Sequence, residues 1–548
     1  MNAFLLSGNL IDILQQEIYP ATVHMADGRI RQIIREEQPY DQYLLPGFID
    51  AHVHIESSML TPAEFARLAV VHGTVATVSD PHEIANVLGV EGVHYMIDNG
   101  RQTPFKFCFG VPSCVPATPF ETAGATLSVA DVEALLQSPD IKYLSEMMNF
   151  PGVLQQQPDV MAKIAAAKRA GKPVDGHAPG LRGADAQQYI AAGISTDHEC
   201  FTLEEAQDKL QYGMHILIRE GSAAKNFDAL IPLLHHHPEK IMFCSDDKHP
   251  DSLVEGHINL LVKRALAQGI DLFKVLRAAC VNPALHYQPG TGLLREGDPA
   301  DLIIIDNTSD FNILATYING IQVAAAGKTL IAPAPAGIIN NFDCRPHQPA
   351  DFRIPAAGKE GQPVDVHVIE ALDGQLITNN ARAALPVTDG ALYSDPARDI
   401  LKLAVVNRYR PAPVALGFIR NFGFTTGAIA SSVAHDSHNI IAVGVDDESL
   451  CAAVNAVIQE QGGISVVNNG SIQVLPLPVA GLISHLDGYA VAERYSALDQ
   501  AAKDLGSTLA APFMTLSFMA LLVIPHLKLS DKGLFDGNAF RFIPVTAG

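Results

Sequence analysis

At 548 residues the chain is too long for one ordinary domain, and its 48% apolar content suits two or three globular units with sizeable cores. A formal charge of −22 would repel phosphates, and the lack of tryptophan with only 7% aromatics leaves little for base stacking, so both argue against a nucleic-acid partner. Seven scattered cysteines (Cys108, Cys114, Cys200, Cys244, Cys280, Cys344 and Cys451), odd in number and with no C-x-x-C, read as reduced thiols of a cytoplasmic protein.

Residues 1–44 carry short alternating strands around Asp27-Gly28, and Asp12 and Glu17 without a basic region argue against a signal peptide. An apolar run then ends in Phe48-Ile49-Asp50-Ala51-His52-Val53-His54. Side chains alternate along a strand, so His52 and His54 point the same way from one strand end and can grip one divalent cation. Thr61-Pro62-Ala63-Glu64 is a capping box with proline at the first helical position; Phe65, Leu68, Ala69 and His72 keep helical spacing until Gly73. Val75–Val78 follows as a strand and ends at Ser79-Asp80-Pro81-His82-Glu83. Further strands are expected at Phe105–Val111, Ile141–Leu144, Pro173–Asp175, Ile194–Thr196, His215–Ile218 and Ile241–Cys244, with helical patterns such as Val160–Ala170, Ala184–Ala192 and Leu203–Leu210 between them. Counting the strand before His52 gives eight βα units over 45–290, the pattern of an α/β fold of the (β/α)8 TIM-type barrel class.

Residues 291–332, with Gly297-Asp298-Pro299-Ala300-Asp301-Leu302 and a hairpin-like Asn319-Gly320, are expected to pair with 1–44 into one small β domain that the barrel interrupts. A proline- and glycine-rich passage over 333–362 reads as a linker, and 363–548 as a C-terminal mixed α/β domain. Within it, the strongly apolar Phe513–Ile524 is bracketed by Pro512 and Pro525, too short for the roughly 20 residues that span a bilayer, and is read as a buried core element.

Chemistry in such a barrel gathers at the C-terminal strand ends. There the chain offers His52 and His54 on the first strand, Glu146 on the fourth, His177 on the fifth, His198 on the sixth, and Asp246 with Asp247 on the eighth. Taken singly, each is as readily a hydrogen-bonded buried histidine or a helix-capping aspartate. Jointly, four histidines with the carboxylates Glu146 and Asp246 converging on one mouth suit Zn, Mn or Fe(II) rather than Ca or Mg alone. Such a metal lowers the pKa of bound water to about 7 and supplies hydroxide at neutral pH.

Pro46-Gly47-Phe48-Ile49-Asp50-Ala51-His52-Val53-His54 resembles the opening motif of the amidohydrolase superfamily, and Asn282-Pro283-Ala284 with Gly297-Asp298-Pro299-Ala300-Asp301-Leu302 resembles its closing motifs. Within it, the chain resembles the prokaryotic adenine deaminase family over nearly its whole length. The narrow motifs are Glu56-Ser57-Ser58-Met59, Asp80-Pro81-His82-Glu83-Ile84-Ala85-Asn86, Pro112-Ser113-Cys114-Val115-Pro116-Ala117-Thr118, Glu146-Met147-Met148-Asn149 and Val433-Ala434-His435-Asp436-Ser437-His438-Asn439. Most binuclear members carry a carboxylated lysine at the fourth strand end, whereas this chain has Glu146, as that family does; this makes a lysine-carbamate enzyme such as dihydroorotase a poorer match. The other deaminase scaffold requires Pro-Cys-x-x-Cys, which is absent.

The resemblance implies hydrolysis of adenine to hypoxanthine and ammonia by metal-bound hydroxide attacking C6. It implies two divalent metals per chain, Mn2+ ahead of Fe2+ or Zn2+: one held by His52, His54, Glu146 and Asp246, and a second held by bridging Glu146 with His177 and His198. Asp246 is expected as the general base because it would touch the attacking water; Glu146, His198 and Glu83 are counted with it as catalytic. Asp247, Glu83, Ser113, Glu121 and His435 are expected to contact the purine. For Asp247 a salt bridge to Lys248 or a helix cap weighs nearly as much, and for Asp80-Pro81-His82-Glu83 an acidic helix start explains Asp80 well. The His435–His438 loop either closes the pocket or is a turn tied down by local hydrogen bonds. A homodimer is the family expectation, with no membrane partner. Two rival readings stand beside this one. Another amidohydrolase would act on a pterin, a hydantoin or a similar ring. A non-catalytic metal-binding protein or regulatory subunit would lack the general base, but Asp246 is present.

Overall fold

The computed structural model describes residues 3–222 and 224–547. Eight parallel strands follow one another between residues 48 and 244: β1 (Phe48–Val53), β2 (Thr74–Ser79), β3 (Lys106–Val111), β4 (Ile141–Met147), β5 (Val174–Gly176), β6 (Thr196–Asp197), β7 (His215–Arg219) and β8 (Ile241–Cys244). The sheets are one of five strands in the order β1-β2-β3-β4-β5 and one of three in the order β6-β7-β8. The two meet along both seams. Asp246 N donates to His52 O (2.9 Å) and His54 N to Asp246 O (3.2 Å) where β8 meets β1, and Ser195 N donates to Val174 O (2.9 Å) beside β5 and β6. The sheet is therefore strongly curled, with mixed α/β content around it.

Local signals place the elements as their chemistry demands. Thr61 caps the helix Pro62–Ala69 by accepting Glu64 N, and Thr202 caps Leu203–Gln211 by accepting Glu205 N. Gly47 has no room for a side chain, because a Cβ there would clash with Val75 on β2. β4 runs three residues beyond the expected Leu144, so Glu146 lies within the strand, and β7 reaches Arg219.

The two flanks share one eight-stranded sheet. Leu302–Ile305 pairs antiparallel with Tyr43–Pro46, which in turn lies parallel to Phe4–Asp12. Residues 333–362 are not a free linker. Phe352 is fully buried, and its carbonyl accepts from Lys402 Nζ at 3.0 Å. The remaining residues include a second eight-stranded sheet, with Leu401–Val406, Ala428–Ser431 and Ile440–Gly444 in it and the helix Asp447–Gln459 packed on it, and a three-stranded sheet that begins at Leu527–Ser530. The apolar stretch after Pro512 breaks into a short helix (Pro512–Ser517), a 3-10 turn (Phe518–Ala520) and irregular chain. Among the described residues no helix is long and apolar enough to cross a membrane. Most of this stretch is core, as expected, but Phe518, Leu521 and Val523 face the cavity described next.

Candidate metal centre

Alternation on β1 sends Asp50 and His52 to one side, and the backbone turns so that His54 follows. His52 Nε2 and His54 Nε2 come within 3.1 Å of each other, both buried. Asp246, just past β8, holds a left-handed backbone (φ +55°), a conformation that asparagine and aspartate tolerate better than other side chains. Its two backbone bonds to β1 fix that turn and set Oδ1 at 3.5 Å from His52 Nε2 and 3.3 Å from His54 Nε2.

Glu146 divides the cluster. Its Oε1 lies 3.4 Å from His54 Nε2 and 3.4 Å from His82 Nδ1. Its Oε2 lies 2.7 Å from His177 Nδ1 and 3.2 Å from His198 Nε2. The His198 ring stacks on His52, centroids 4.1 Å apart. All six residues expected at the strand ends, His52, His54, Glu146, His177, His198 and Asp246, are thus brought to one buried cluster.

The donor set fits a divalent cation on one observation above the rest. His54 Nδ1 lies 3.2 Å from the backbone carbonyl of Asp80, which can only accept, so Nδ1 carries the hydrogen. Nε2 of the neutral ring then presents a bare lone pair toward carboxylate oxygens of Glu146 and Asp246. Lone pairs facing carboxylates in a buried site repel unless a cation lies among them. Imidazole nitrogens with carboxylate oxygens are the ligand mix of Zn, Mn and Fe(II).

Around this cluster lies a cavity lined by His82, Glu83, Glu199, Arg219, Asp247 and Asp436 on its polar side and by Met148, Leu376, Phe518, Leu521 and Val523 on its apolar side. Burial would raise the Asp246 carboxyl, but the Arg219 guanidinium, 2.6 Å from Oδ2, holds it well below the usual carboxylate range. Arg219 also pairs with Glu199. Burial would likewise raise Glu146, and the imidazoles of His177 and His198 pull it well below.

Glu83 sits at the start of the helix His82–Leu88 and clasps the C-terminal loop. Oε1 lies 2.6 Å from His435 Nδ1, and Oε2 pairs with His438 Nε2. His438 Nδ1 accepts from Ala434 N (3.2 Å), so its Nε2 carries the hydrogen that goes to Glu83 in the neutral ring. Burial keeps His438 low, at about 4, whereas His435, against the same burial, is lifted to about 9 by the Glu83 charge. One imidazolium and one neutral imidazole therefore share one carboxylate. The loop reaches the cavity, with His435 and Asp436 in its wall.

Asp247 also lines the cavity and accepts from Ser57 Oγ at 2.5 Å. Ser113 and Glu121, expected to line it, do not. Ser113 follows β3 directly and spends its hydroxyl on the neighbouring strand's Glu146 carbonyl (2.5 Å). Glu121 lies behind the C-terminal loop, its backbone carbonyl held by Lys532 Nζ at 3.1 Å, and burial raises its carboxyl well above the usual range. Sequence reasoning gives no role to Glu199 or Arg219 and takes His82 and Asp436 only as members of their motifs. For Arg219 a signal existed: it ends the seventh strand, for which no polar residue was named. The apolar wall left no such signal.

The adenine deaminase C-terminal domain family matches residues 375–541 and the amidohydrolase family residues 43–323. The chain is 58% identical to an adenine deaminase of Salinibacter ruber over 99% of its length and 98% of the relative's. It is 56% identical to one of Sulfurovum sp. over 98% of its length and 99% of the relative's. It is 52% identical to one of Methanosarcina barkeri, covering 99% of each chain.

Proposed function

This chain belongs to the amidohydrolase family and, within it, to the adenine deaminases; from that membership we infer that it hydrolyses adenine to hypoxanthine and ammonia. The observation that carries the reading is Glu146, whose two oxygens face two different pairs of imidazoles with Asp246 opposite. The two parallel sheets are read as one (β/α)8 barrel with this cluster at its mouth, flanked by the small β domain and the C-terminal domain.

Two divalent metals are proposed, Mn2+ ahead of Fe2+ or Zn2+. His52, His54, Glu146 and Asp246 would hold one, and Glu146, His177 and His198 the other. When bound, such ions make water nucleophilic at neutral pH by lowering its pKa to about 7.

The chain's own groups then handle the protons. Water adds to C6 of the purine, and Asp246 takes its proton because the carboxylate is ionised and faces the cluster. That proton passes to the exocyclic nitrogen, the C6–N bond breaks, and ammonia leaves. Asp247 and the Glu83–His435 pair offer hydrogen bonds to ring nitrogens, and the apolar wall of Phe518, Leu521 and Val523 suits the flat face of the base while excluding water. A cytoplasmic homodimer completes the proposal, with light scattering as the check on the dimer.

The test is ammonia release by Mn(II)-reconstituted protein from adenine, beside adenosine, cytosine and guanine. Release from adenine alone, lost by more than about a hundredfold in Glu146→Gln, supports both substrate and bridging carboxylate. No release from adenine after full metal loading overturns the reading in favour of another cyclic amidine or amide.

A further inference from the structure

Lys528 lies on the short strand Leu527–Ser530 and is completely buried. Its Nζ donates to the carbonyls of Leu376 (2.6 Å) and Phe518 (2.8 Å). Among the described residues it makes no ion pair, unlike the equally buried Lys402, which pairs with Asp447. An ammonium buried without an anion costs more than two carbonyl bonds return, so an apolar side chain of the same length would serve folding as well or better. Burial accordingly pushes this amine down to about 7.

What the ammonium touches is specific. Leu376 and Phe518 belong to segments about 140 residues apart in the chain, and both stand in the apolar wall of the cavity. The same region is stitched by Thr378, whose Oγ donates to Leu527 O (2.8 Å) while Thr378 N donates to Pro525 O (3.1 Å). Phe518 in turn lies flat on His435, which holds Glu83.

We propose that Lys528 is a positioning residue for purine binding: by drawing the Leu376 and Phe518 carbonyls to one point it sets the apolar wall against which the flat base lies. This rests on the adenine reading of the cavity. The charge is kept at a cost to stability because the Thr378 bonds hold only the Pro525–Leu527 end of the second segment, whereas Lys528 fixes Phe518 itself against Leu376.

The test compares Lys528→Met with Lys402→Met in the full-length, Mn(II)-loaded protein. Lys528→Met is expected to keep its metal content, to melt no lower than wild type, and to raise KM for adenine by about tenfold with kcat within about threefold. Hydrogen exchange should quicken over residues 374–378 and 512–524. Lys402→Met, which strands Asp447, is expected to melt lower with KM unchanged. Wild-type KM and exchange in Lys528→Met overturn the proposal, and so does a Lys528→Met protein that fails to fold, because the ammonium would then be structural. If the wild type releases no ammonia from adenine, the functional reading fails by itself, while the exchange measurement still tests the anchor.

Discussion

The ring of Phe518 lies flat against that of His435, with centroids 4.5 Å apart and planes 11° from parallel. Through this contact the apolar stretch after Pro512 is coupled to the polar side of the cavity, since His435 also grips Glu83. Replacing Phe518 with alanine should cost about 3–5 kcal/mol of unfolding free energy, as for other buried aromatics. The same variant should raise KM for adenine more than it lowers kcat. Denaturant melts and steady-state kinetics check both, and an unchanged KM would remove Phe518 from substrate binding.

The His435–Glu83 pair makes stability depend on pH with a definite sign. The folded pKa of His435 is raised to about 9. The pair's contribution is therefore full below the unfolded value of about 6.5 and is lost as pH rises through the folded one. The melting-temperature gap between wild type and His435→Gln should be widest below that lower value and close progressively toward the upper. A gap that stays constant across this window would contradict the charge assignment.

Arg219 is expected to set the acid side of the activity profile. It bonds Asp246 Oδ2 at 2.6 Å and pairs with Glu199, all three buried. Arg219→Met leaves two buried carboxylates without their cation, so the Asp246 carboxyl should rise. Activity should then fail at a higher pH on the acid limb than in wild type, with the peak kcat reduced. An acid limb at the wild-type position would show that Asp246 does not depend on this guanidinium.

Below the cluster, Asp50 accepts from Ser245 N (3.0 Å) and Ser245 Oγ, and lies 2.8 Å from His257 Nε2. His257 Nδ1 lies 2.7 Å from Thr74 Oγ1. This network pins the residue before Asp246 and so helps hold its left-handed turn. His257→Leu should cost about 1–3 kcal/mol by leaving buried polar atoms unpaired, measured by equilibrium unfolding. It should lower kcat without changing which substrates are accepted.

Legibility in the sequence followed the range of the physics. The six strand-end residues could be read because strand alternation, helix caps and the βα rhythm are local rules, visible within ten residues of each position. Ser113 and Glu121 are not among the residues lining the cavity, because a loop's direction after its strand is not a local property. Ser113 turned to satisfy a carbonyl on the adjacent strand, and Glu121 passed behind the C-terminal loop. The stretch around Phe518 reads identically as core or as cavity wall, because burial against protein and burial against ligand ask for the same side chains.

The eight strands, the histidines and carboxylates at their ends and the motifs of the family are legible in the chain alone, because neighbours in the chain carry them. That Glu83 meets His435 across 352 residues, that Arg219 bonds Asp246 and that Lys528 ties two wall segments emerges from the folded arrangement alone. Hydrogen bonds between distant segments impose no periodicity on either one, so they exist only once the chain has folded.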